Sequence, residues 1–137
     1  MRRLLALFLA LCALFLALCA LRAELSPDHY RKLQAAAPEA VVLVVESVDT
    51  RSGPSRDGIT IDVTVAARVR QVVRTQAGLK PGDAVAIRYQ VLLPLAPLPG
   101  PSQAPILGKA EVRPAFLKPA DGKGFTLAAG GLSFERL

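Results

Sequence analysis

The sequence predicts a mainly β domain, a small antiparallel barrel of five or six strands with one short N-terminal helix. Three features predict it. Ile59, Ile61, Val63, Val65, Ala67 and Val69 alternate with Thr60, Asp62, Thr64, Ala66, Arg68 and Arg70, the period of two of a strand with one face in a core. Val85, Ile87, Tyr89 and Val91 alternate in the same way with Ala86, Arg88 and Gln90. Turn-forming clusters, not helices, separate these segments, which argues for antiparallel pairing. Closing such a sheet removes its exposed edges. A β-sandwich is the alternative, and the length and bend of the second strand favour the barrel.

Taken in order, Ser26-Pro27 opens the first element. Serine caps a helix and proline suits its first position, where the missing N–H costs nothing. Residues 27–36 are predicted helical, ending before Pro38. Ala40 to Val48 is Val-rich and nearly continuous in apolar character, a strand buried on both faces. Arg51 to Gly58 has the composition of a turn. The long alternating strand follows and loses its period at Gln71-Val72-Val73, where a bulge or bend is expected. Gly78 to Asp83 is a turn before the third strand. Pro94 to Pro105 holds five of the eleven prolines and reads as a stiff loop. Lys109 to Leu117 is a strand in which Pro114 implies an edge or a bulge. Asp121 to Gly124 is a turn, Phe125 to Leu127 a short strand, and a last strand is expected around Leu132-Ser133-Phe134.

The N-terminus carries an address. Arg2 and Arg3 precede Leu4 to Leu21, eighteen residues without a charge, the pattern of an export signal. That run exceeds the ~7–15 residues of a usual signal core and reaches the ~17–25 of a spanning helix. Residues 1–23 are therefore expected to be a signal peptide cut after Ala23, or else an uncleaved anchor. Leu16-Ala17-Leu18-Cys19 resembles a lipobox, although Leu18 stands where Gly or Ala belongs, so lipidation at Cys19 is a further alternative. The expected location is periplasmic or secreted. Arg2, Arg3 and Arg22 leave with the segment, so fourteen basic residues face eleven acidic ones, a net charge of +3. Cys12 and Cys19 leave as well. Residues 24–137 then form a single domain that must bury enough apolar surface to fold without disulfides.

The stretch from Val41 to Phe134 resembles the oligosaccharide/oligonucleotide-binding (OB) barrel of the tissue-inhibitor-of-metalloproteinase and netrin-like type. The residues that carry this are Ala40-Val41-Val42-Leu43-Val44, the alternating strand ending in Val72-Val73-Arg74, Gly78 to Val85, Gly108 to Leu117, and Asp121-Gly122. The resemblance is one of layout. Those inhibitors chelate zinc through an N-terminal cysteine, and residues 24–137 contain none, so no functional residue carries over.

Several chemistries lack their residues. His29 is the sole histidine, so neither a metal site nor a Ser/His/Asp constellation has its usual parts, and no metal or cofactor is expected. Glu46, Asp49, Asp62 and Glu111 are the carboxylates available for acid–base work, with nothing in the sequence to bring two together. Gly130-Gly131 lacks the context of a phosphate loop. Pro94 and Pro97 have PxxP spacing, yet suit a stiff spacer. Arg68, Arg70, Arg74 and Arg88 fall on the outward faces of the second and third strands and form the candidate ligand-binding face. Stacking aromatics are missing from that face, so nucleic acid is not the expected partner. The leading expectation is an exported, non-enzymatic binding or interaction module of unknown ligand, with an envelope or extracellular protein as one candidate partner. The alternative is a small exported hydrolase built on His29. Membrane contact is expected only through residues 4–21 where these are retained.

A protein without a thiol in its folded domain unfolds independently of redox conditions. The urea midpoint of the exported protein is therefore expected to be the same with and without reductant. A midpoint that falls on reduction would exclude either cleavage after Ala23 or the disulfide-free core.

Overall fold

A computed structural model describes residues 25–97 and 100–137. The apolar N-terminal segment, its cleavage point and both cysteines lie outside the described residues. The helix α1 spans Pro27–Ala36. Ser26 accepts a hydrogen bond from the His29 backbone N–H at 3.3 Å, and Asp28 sits in the first turn, where a negative charge is favourable. Ala37 leaves helical dihedrals, as a residue before proline must.

Five strands follow, β1 (Glu39–Ser55), β2 (Gly58–Arg74), β3 (Ala84–Pro94), β4 (Val112–Pro119) and β5 (Phe125–Leu127). They close in the order β1-β2-β3-β5-β4. Every pairing is antiparallel except that of β3 with β5, which is parallel at Ile87 and Phe125. A closed five-strand barrel is compatible with an OB-like fold, and the sandwich alternative does not hold.

The alternation of β2 places Val63, Val65, Ala67 and Val69 inside with Val41, Leu43, Val45, Val85, Ile87 and Leu117. The break near Gln71 is a pair of bulges. Val42 pairs with Gln71 and Leu43 with Val69, and Ala40 pairs with Arg74 and Val41 with Val72, so Arg70 and Val73 are the extra residues. A third bulge, at Glu46, lies in β1 between the Val45 and Ser47 pairings. Each increases the local twist that a small barrel needs.

Three local expectations are corrected. Arg51 to Ser55 is strand, and only Arg56-Asp57 turns, because β1 and β2 stay paired as far as Ser55 and Gly58. Pro54 is tolerated because the paired part of β4 ends at Val44 on the other side of β1, leaving no ladder bond on that side among the described residues for its missing N–H to break. Gly58 is required at this corner, since a Cβ there would stand 2.0 Å from the Leu93 carbonyl oxygen. The fourth strand begins at Val112, not Lys109, because Glu111 makes a turn of the preceding residues: its Oε1 accepts from the Gly108 N–H at 2.9 Å. Pro114 then pairs with Val42, while the pairing of β4 with β5 begins only at Leu117. The expected last strand is a 3₁₀ turn, Gly130–Leu132. Ser133 Oγ accepts from the Ala129 N–H at 2.9 Å, and this turn drives Phe134 into the barrel end, where it is fully buried against Tyr89.

The proline-rich loop covers an edge. The side-chain amide of Gln103 accepts from the Leu92 N–H at 2.6 Å and donates to the Leu92 carbonyl at 2.7 Å. It takes the place of a neighbouring strand where β5 does not reach.

Val63 is 1% exposed and Thr64 points outward. Val63→Asp is therefore expected to cost on the order of 3–5 kcal/mol through an unpaired buried carboxyl group, and Thr64→Asp less than about 1 kcal/mol. Urea denaturation of the two variants checks this, and equal midpoints would mean that the register of β2 is shifted by one residue.

Candidate functional site

The four outward arginines are dispersed by the bulges of β2. Arg68 lies before the first of them. Its Nε meets Glu46 Oε1 at 2.8 Å and its Nη1 donates to the Gly82 carbonyl at 2.9 Å, so it ties the β1 bulge to the β2–β3 turn. The pair is half exposed and contributes little to stability. Arg70 is itself a bulged residue, exposed to solvent. Arg74, beyond the second bulge, turns to α1. Its Nε donates to the Ala37 carbonyl at 2.9 Å and its Nη2 to the Gln34 carbonyl at 2.8 Å, where a cation compensates the negative end of the helix. Arg88 lies on β3, opposite Thr64. Arg70 and Arg88 make no ion pair among the described residues.

Arg88 stands in a groove of about 510 Å³ on the outer face of β2 and β3. Two alternate cross-strand pairs build its floor, Asp62 with Gln90 and Thr64 with Arg88. Alternation puts all four side chains on the same outward face. Gln90 Nε2 donates to Asp62 Oδ1 at 2.6 Å, which fixes both side chains. Thr126 and Leu127 of β5 form the far wall, and the Thr126 hydroxyl donates to the Arg88 carbonyl at 2.9 Å. Beneath the groove, burial pushes the Tyr89 phenol up to about 12. It stays protonated and donates inward to the Pro105 carbonyl at 2.7 Å. The groove thus offers a cation, a carboxylate, an amide and hydroxyls on a rigid sheet.

The alternation points only to the arginines of this face; Asp62, Gln90 and Thr126 join the site through the register of β2, β3 and β5. Two of the other three candidate acid–base carboxylates take separate partners: Glu46 meets Arg68, and Glu111 meets Arg113 at 2.9 Å. Arg113 and then the Gly108 N–H hold the Glu111 carboxyl below the usual range. Asp49 lies on β1 opposite Thr64. His29 sits on the exposed side of α1 with its ring edge-on to Tyr30. The Ser26 hydroxyl is used by the His29 backbone, and Asp28 by Arg31. Among the described residues, no group of three or more His, Cys, Asp and Glu side chains is placed to hold a metal ion.

No known family model matches the chain, and neither curated proteins nor solved structures give a significant match.

The different duties of Arg74 and Arg70 are separable. Arg74→Gln is expected to cost about 1.5–3 kcal/mol, the range for hydrogen bonds made by a charged group, and Arg70→Gln less than about 0.5 kcal/mol. Thermal unfolding of both variants checks this, and equal melting temperatures would mean that Arg74 does not anchor the helix.

Proposed function

We propose that this chain is an exported, non-enzymatic binding module that presents the outer β2–β3 face to an envelope or extracellular protein. The observation that carries the reading is the groove at Asp62, Thr64, Arg88 and Gln90. Small OB-like barrels commonly receive ligands on the face of their second and third strands, a precedent of fold alone. The finer kinship, with the tissue-inhibitor and netrin-like type, belongs to this proposal and contributes only the barrel. Export rests on the apolar run from Leu4 to Leu21 and the basic residues before it, with an anchor or lipidation at Cys19 as its other outcomes.

The mixture of groups favours a polypeptide segment over a polyanion. Arg88 shares the groove with Asp62, and Arg68 and Arg74 each commit two of their three nitrogens inside the protein. Binding to nucleic acid or heparin instead rests on several free cations acting together. Retention on heparin at physiological ionic strength is not expected.

The test is a photo-crosslinking residue placed at Thr64 in the producing cell, with the same residue at Lys80, on the exposed β2–β3 turn, as the control. A protein adduct is expected from Thr64, absent from Lys80 and lost when Arg88→Glu is added. Equal yields at the two positions, no adduct at either, or an adduct indifferent to Arg88→Glu would refute the assignment.

A further inference from the structure

Beside α1 the barrel wall opens into a second cavity, of about 490 Å³. That volume lies within the ~300–1,000 Å³ typical of small-molecule sites. Part of its wall is apolar, with Ala35 on the helix, Val73 on β2, and Pro114 and Phe116 on β4. Val73 reaches it because it is the bulged residue that breaks the register of β2, and it is left 58% exposed. A valine so exposed is apolar surface that a ligand would remove from water.

The charged side chains that line this cavity among the described residues have one sign: Arg31, Arg74 and Arg136, beside the backbone of Leu137, the last residue of the sequence. Arg31 is paired with Asp28 at 3.0 Å. Arg74 is the most constrained of the three. The two helix carbonyls fix its Nε and Nη2, while its Nη1 has no hydrogen-bond partner among the described residues. A guanidinium oriented before the ligand arrives loses little further freedom on binding. Gln34, which also lines the cavity, holds the opposite wall by donating to the Leu132 and Glu135 carbonyls, each at 2.8 Å.

We propose that this cavity binds a small amphipathic monoanion, its apolar body against Val73, Pro114 and Phe116 and its carboxylate at Arg74 and Arg136. The apolar wall supplies the burial, and the arginines supply charge-assisted hydrogen bonds to the head group. The site shares no residue with the β2–β3 groove, so it stands or falls independently of the binding face proposed above.

The test is isothermal titration calorimetry of the exported protein with three probes: 4-phenylbutyrate, 4-phenylbutanol and acetate. The first is expected to bind one per chain. The alcohol, with the same body and no charge, is expected to bind at least about tenfold more weakly, the loss of one charge-assisted hydrogen bond. Acetate, which lacks the body, is expected to give no signal. Val73→Glu places a carboxylate in the cavity at an exposed position, so it is expected to abolish binding without lowering the melting temperature. Arg88→Gln, in the other groove, is expected to leave binding unchanged. Absence of phenylbutyrate binding, equal affinity for the alcohol, or binding that survives Val73→Glu would overturn the proposal.

Discussion

Glu39 begins β1 with no exposed surface, and a carboxyl group so placed must find its hydrogen-bond donors inside the protein. It finds three in the segment that leaves β2. Thr75 donates its hydroxyl, and the Gln76 and Ala77 N–H groups donate at 3.1 and 2.9 Å. Thr75 Oγ1 then accepts from the Leu79 N–H at 3.0 Å. One side chain at the start of β1 therefore shapes the connection that β2 must make to reach β3. Arg74, the residue before Thr75, reaches back to the end of α1. Helix, first strand and second strand meet at this junction, and both concave sites depend on it. The polar groove needs β3 returned in register along β2, and the arginine cavity needs α1 fixed against the barrel wall.

The sequence makes strands more legible than the ends of strands. Alternation located β2 and β3 and assigned Val63, Val65, Ile87 and Tyr89 to the interior, because one-sided burial imposes a period of two. It also located the irregularity near Gln71, since a bulge resets that period. The Arg51-to-Gly58 stretch reads as a turn because Ser, Gly and Pro mark turns on average. Here cross-strand pairing with β2 outweighs local preference, although beyond Val45 no second strand flanks β1 among the described residues. The C-terminal segment departs from its strand-like composition for a related reason. Phe134 is apolar enough for a strand, but its destination is the end of the barrel, and only the tertiary fold provides that.

Sites were less legible than elements because they depend on register between segments. Asp62 and Gln90 are twenty-eight residues apart, and they meet only because Arg68 pairs with Ala84 at the other end of the ladder. The connection between them carries two bulges and a turn, so counting outward from the turn does not identify the pair. Arg74 illustrates the opposite difficulty. Its place at the outward end of β2 was readable, but its use by the helix carbonyls follows from where Pro38 ends α1. Arg136 lies far from both in sequence, and the 3₁₀ turn brings it to the cavity.

The arginines also show why net charge says little about what this surface binds. Exposed guanidinium groups spread over a sheet act together on a polyanion only when their donors are free and closely spaced. Two of the four here are held by backbone carbonyls, one of them together with a glutamate. An arginine used in this way loses reach and gains orientation. Arg74 gives up side-chain freedom to cap a helix, and the part of its fork left over extends from a fixed base. Recognition built on such a group is selective for geometry more than for charge, because the penalty of ordering the side chain has been met by folding. A domain without disulfides benefits twice: the same contact that holds the helix to the barrel prepares the cation for a ligand.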